Sequence, residues 1–144
     1  MFSKPGCERL APHLYMVSYP PELPREEFLA FMGELEHVLA TAERPYAWVA
    51  DLQHVRGSNA RQRKIVAETE KRHAALHAQH HAGAALVVPN RLVRGVVTAI
   101  FWLVPPVYPT TMVDSRAEGI RWAAGQLAAK GVVVDVEFIV RKCG

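Results

Sequence analysis

Between Leu92 and Val104 the residue spacing predicts a short helix that is apolar on nearly every side, closed by the proline-rich, aromatic tip Pro105-Pro106-Val107-Tyr108-Pro109. A helix at a protein surface keeps a polar face, so one that is apolar all round must be covered all round. One side can pack on a sheet. The other side then calls for a partner subunit, a lipid or a binding protein. The run is too short for the ~20 residues that cross a bilayer, so no membrane span is expected. Val97, Ile100, Phe101, Trp102, Val104 and Tyr108 are the expected interface residues, and a homodimer or other homo-oligomer is the expected assembly.

The remaining chain is that of one ordinary domain, residues 1–144. Half of it is hydrophobic and 22% is charged, which permits a packed core and argues against disorder. The formal charge is only +3 and the basic residues are dispersed. Nucleic-acid binding calls for a concentrated basic stripe, so no nucleic-acid partner is expected. Cys7 and Cys143 lie near opposite ends and match no metal spacing. So few cysteines suit a reducing compartment, and Met1 to Cys7 lacks the apolar segment of a signal peptide, so a cytoplasmic location is expected.

Leu10 to Tyr19 alternates as one strand. Pro24 suits a helix start, and Phe28, Phe31, Met32, Leu35, Val38, Leu39 and Ala42 follow at helical spacing up to Pro45. Tyr46 to Leu52 reads as a buried central strand, Ala60 to His81 as a long helix, and Ala82 to Val88 as a second buried strand. After the apolar helix, Thr111 to Val113 makes a short strand. Ser115 with Glu118 forms a capping box for a helix that Gly131 ends. Val132 to Val140 alternates with Asp135, Glu137 and Arg141, the pattern of an edge strand with one wet face. Strands alternating with helices predict an α/β fold, with a mixed, mostly parallel sheet of about five strands covered by about four helices.

This order of elements resembles the SpoIIAA/STAS fold of anti-sigma-factor antagonists and of the STAS domains on anion transporters. Within it the likeness is to the SpoIIAA-like branch of small bacterial STAS and lipid-binding-type proteins. Three segments carry the resemblance: Tyr46 to Leu52 with its acidic Asp51, Gly83 to Asn90, and Phe101-Trp102-Leu103 with Tyr108-Pro109 ahead of Ser115 to Trp122. The resemblance implies a STAS-like regulatory module that works by protein contact. Phosphorylated STAS switches carry a Ser or Thr where the loop after the central strand enters its helix, which makes Ser58 the candidate phosphoacceptor. Gly57 stands where those switches have an acidic residue.

In parallel sheets, ligands collect beyond the C-terminal strand ends. The loops there carry Arg56, Ser58, Arg61, Arg91 and Arg94 beside helix N-termini, which suits an anion or nucleotide. The plainer role for the arginines is solvation or pairing with Asp51 and Asp114, and for Ser58 or Asn59 it is capping the long helix. His73, His77 and His81 repeat every fourth residue with Glu70 on the same side, a spacing that can present two imidazoles to one metal. With no metal motif alongside, His73 and His80 are expected to border the core stripe of Ile65, Thr69 and Leu76 as amphipathic edge residues, and neither metal nor cofactor is expected. No nucleophile elbow or carboxylate pair marks a catalytic site.

These features predict a non-enzymatic regulatory protein–protein interaction module of unidentified partner. The alternatives are a binding module for a lipid or other apolar ligand, or an anion- or nucleotide-sensing domain. A packed domain of this length has little spare volume, so no enclosed, apolar-lined cavity of a few hundred Å³ is expected between the sheet and the Leu92–Val104 helix.

Overall fold

The computed structural model describes residues 6–19, 23–56 and 59–144. The chain opens with a hairpin of β1 (Gly6–Ala11) and β2 (Leu14–Ser18). Helix α1 (Arg25–Thr41) and strand β3 (Tyr46–Asp51) come next, then α2 (Ala60–Arg72), α3 (Ala74–His80) and β4 (His81–Val87). The remainder is α4 (Arg91–Leu103), β5 (Thr110–Val113), α5 (Arg116–Ala129) and α6 (Val136–Cys143). The five strands lie in sequence order across one sheet. Only β1–β2 is antiparallel; β2–β3, β3–β4 and β4–β5 are parallel. The fold is α/β as expected, with six helices among the described residues.

Three boundaries differ from the sequence reading. The single strand expected over Leu10–Tyr19 is two strands, because the chain reverses at Pro12-His13, where His13 takes a left-handed φ of 72°. The long helix expected to His81 is interrupted at His73 (φ −101°, ψ 8°), and His81 already belongs to β4. The expected last strand, Val132–Val140, is loop and then helix α6. Asp135 accepts the Phe138 N–H at 3.2 Å as the N-cap, and Ile139 is buried with Val140 and Cys143 packed beside it. Val136, Ile139, Val140 and Cys143 satisfy a helical spacing as well as the odd–even pattern satisfies a strand.

The capping expectations hold for α5. Ser115 Oγ accepts the Glu118 N–H at 3.2 Å, while Glu118 reaches back to the Asp114 N–H rather than to Ser115 itself. Gly131 supplies the positive φ of 84° that ends this helix. Asn59 caps α2 through the Gln62 N–H at 2.8 Å, and Ser58 lies outside the described residues.

Alternation splits the sheet into two faces. Leu14, Met16, Ala47, Val49 and Val87 pack with Ile120, Ala123 and Leu127 of α5 and Ile139 of α6. On the opposite face Tyr15, Val17, Tyr46, Trp48 and Ala84 pack with α1 and residues of α2, and Leu86 and Val88 pack with Val93 and Val97 of α4.

Candidate functional site

The face beneath α1, α2 and α4 is incompletely filled. A cavity of about 200 Å³ lies there, floored by sheet residues such as Trp48, Ala84 and Leu86 and walled by Phe31 of α1 and by Val97 and Phe101 of α4. The sequence predicts no enclosed cavity of a few hundred Å³ between the sheet and the apolar helix; the structure holds this smaller, partly open one there. The sheet contributes the small residues Ala50 and Ala84 to its floor, where larger side chains would close the space.

Polar side chains gather along one part of this wall. Tyr46 pairs with His81 across the β3–β4 register, but Ala47 pairs with Gly83, so Ala82 is an extra residue on β4. A bulge of this kind re-aims the side chains on one side of it. Strict alternation would put His81 with Gly83, Ala85 and Val87 on the α5 face. The bulge instead brings it to the cavity with Ala84 and Leu86. Helix α2 delivers Glu70, α3 delivers His77, and the segment after α4 brings Tyr108 back over them.

Hydrogen bonds link the group. The Tyr108 hydroxyl donates to Glu70 Oε2 at 3.0 Å, and the Tyr46 hydroxyl lies 3.0 Å from His77 Nδ1. His77 Nε2 is 3.9 Å from the same Glu70 oxygen. His81 Nδ1 accepts the Gly83 N–H at 3.2 Å, which assigns its ring proton to Nε2, and its ring stacks on Tyr108 at 3.9 Å between centroids. The Trp48 Nε1 donor is buried with no hydrogen-bond partner among the described residues.

Burial governs the protonation of this group. It pulls His77 down to about 4, with His73 adding repulsion, and holds His81 well below the ordinary imidazole value, with His77 adding to the effect. Both are neutral at pH 7. Burial also raises Glu70, against the opposing pull of the Tyr108 hydrogen bond and His73. Tyr46 is pushed up to about 12 and Tyr108 well above its ordinary value, each mainly by burial and partly by the Glu70 charge.

The expected site residues are distributed differently. Of the interface set, Val97 is buried in the chain's own core, while Ile100 and Phe101 are part-buried and border the cavity. Val104 is part-buried, and Tyr108 turns inward onto Glu70 and His81. Trp102 faces outward at 81% exposure, joined by Leu92 and Leu103. Of the arginines, Arg94 donates to the Val88 carbonyl at 2.6 Å and to Asp114 at 2.8 Å. Arg56, Arg61 and Arg91 are exposed, and no described contact joins them. Asp51 is buried at the end of β3, where it accepts from Arg116 Nε at 2.6 Å and from the Gln53 backbone at 3.0 Å.

His73 and His80, expected at the edge of an amphipathic helix, are part-buried, whereas His77 and His81 of the same repeat are buried in the interior. Among the described residues no three His, Cys, Asp or Glu side chains are grouped to hold a metal ion. Sequence reasoning missed Tyr46 and Trp48, weighed Glu70 only beside the histidines as a metal-ligand pattern, and placed Tyr108 on the outside. The available signal was the shared face of Glu70, His73 and His77; the strand bulge that completes the group left no trace in the spacing.

No family model matches the chain, and no curated protein does. Among solved structures it is similar to an uncharacterised protein of the DUF3478 family from Shewanella loihica PV-4, described as having a SpoIIAA-like fold. The identity is 13%, the TM-score is 0.55, and the match covers 76% of this chain and 81% of that one. No helix of the described residues is long and apolar enough to cross a membrane. The sheet order, the helices on both faces and this structural likeness together give the chain a SpoIIAA-like fold.

Proposed function

We propose that the protein is a non-catalytic regulatory module that binds a small, largely apolar ligand between its sheet and helices α1, α2 and α4. The cavity carries this reading. An apolar cavity of about 150 Å³ suffices for benzene, so 200 Å³ suits a ligand, or the buried part of one, of about eight non-hydrogen atoms. Small-molecule sites are typically apolar concavities with a few convergent polar groups, and Glu70, His77, His81 and Tyr108 supply those groups. Native mass spectrometry of the purified protein, followed by a thermal-shift panel of small apolar compounds, tests the reading. The expected result is a retained small molecule or stabilisation by panel members of matching size. Absence of both at millimolar concentrations defeats it.

A second reading has its own support. Leu92, Trp102 and Leu103 are exposed on α4, the helix that also walls the cavity. That surface suits contact with a second copy of the chain, and ligand occupancy beneath α4 would then be communicated to it.

A further inference from the structure

We propose that the ligand of this cavity is an amphiphile with a protonated amine or quaternary ammonium head, held against Glu70 and the surrounding aromatic rings. This assignment rests on the ligand-binding reading above and names the chemistry of its polar end.

Among the described residues, two carboxylates border the cavity. Glu36 is already ion-paired with Arg72. Glu70 is different: its side chain is 33% exposed, and its described contacts are the Tyr108 hydroxyl and His77, with His73 near enough to be felt. His77 is neutral at pH 7, so it brings no positive charge. Arg63 also borders the cavity and has an interaction of its own. His77 Nε2 lies 3.9 Å from Glu70 Oε2, and the Tyr108 hydroxyl donates to that same oxygen at 3.0 Å. The Tyr108 hydrogen bond treats Glu70 as an acceptor, the role of an ionised carboxylate.

An ionised carboxylate in such surroundings lacks the counter-charge that normally offsets its desolvation. Its field reaches Tyr19, Tyr46 and Tyr108, whose phenols are all raised in part by it. A ligand cation would supply the missing charge. The rings around it suit the same head, because aromatic faces attract cations: Tyr19, Trp48 and Tyr108 all line the cavity. Two ring N–H donors without a described hydrogen bond, the buried Trp48 Nε1 and His81 Nε2, belong to residues that line the cavity, but neither carries the positive charge that would favour an anionic head.

The test is calorimetric titration of the full chain with octylamine, octyltrimethylammonium, octanol and octanoate, which share one apolar tail and differ at the head. The chain's net charge of +3 favours the anion non-specifically, so a preference for the amine reports the site. Octylamine or its trimethyl analogue should bind about tenfold or more tighter than octanol, with octanoate weakest. In Glu70→Gln, which keeps the size of the side chain, that preference should shrink to about twofold or less while octanol binding persists. Octanol or octanoate binding the wild type as tightly as the amine overturns the ammonium assignment and leaves the apolar-ligand reading intact. No binding by any of the four overturns both. The comparison within the wild type stands however well Glu70→Gln folds.

Discussion

His77 illustrates how one side chain ties the site to stability. It is 3% exposed and faces Tyr46, His73, Glu70, His81 and Tyr108. Its folded pKa lies near 4 against 6.5 for the ordinary side chain, so below pH 6.5 the unfolded chain takes up the proton first. The stability it contributes is complete above that pH and is lost as the pH falls toward 4. His81 is shifted in the same direction. Glu70 works oppositely, since its raised pKa lets the folded state bind a proton early on acidification. For His77 alone the loss amounts to at most about 3 kcal/mol at roughly 1.4 kcal/mol per unit. Urea midpoints at pH 7 and pH 4.5 should show a marked drop for the wild type and a flatter profile for His77→Gln. Identical profiles would detach the histidine from acid sensitivity.

At the scale of an element, α6 offers the clearest discrimination between two patterns written in the same residues. As a strand, Val132–Val140 would turn Val136, Phe138 and Val140 inward together. As a helix, it buries Ile139 at 3% exposure and leaves Phe138 at 53%. Ile139→Ala should therefore cost about 2–4 kcal/mol through the cavity it leaves in the α5–α6 face of the core, and Phe138→Ala less than about 1 kcal/mol. Chemical denaturation of the two variants checks this, and a reversed order would restore the strand. Asp135 accounts for the outcome as much as the apolar residues do, because its carboxylate serves an N–H that a helix start leaves unpaired.

At the scale of the molecule, the outward side of α4 makes a prediction about assembly. Burying Leu92, Trp102 and Leu103 against a second copy would contribute about 5–9 kcal/mol per protomer face at 1.5–3 kcal/mol for each side chain. Association itself costs about 4–15 kcal/mol, so the self-contact should be weak and visible only at elevated concentration. Light scattering across a concentration series should show reversible association of the wild type that Trp102→Glu removes. Wild-type protein that remains monomeric throughout would refute the contact. Trp102→Glu should leave the fold stable, since the side chain it replaces is already in water.

What the sequence determined by itself was whatever depends on neighbours along the chain. The apolar runs Tyr46–Leu52 and Ala82–Val88 announced the buried strands observed at Tyr46–Asp51 and His81–Val87, and Ser115 and the Ser58–Asn59 pair marked helix starts through donors only a few residues away. Phe28, Phe31, Met32 and Leu35 spelled out the inner stripe of α1. The tertiary structure alone decided the cavity and its polar wall. Glu70 meets Tyr108 across a separation of 38 residues, and Tyr46 meets His77 across 31. His81 reaches them only because one extra residue, Ala82, shifts the β3–β4 register. No periodicity encodes such meetings, because side-chain direction along a strand depends on how it pairs with its neighbour. The empty volume is likewise a property of assembly: it is what remains between Trp48, Ala84, Phe31 and Val97 once the sheet and three helices have each satisfied their own packing.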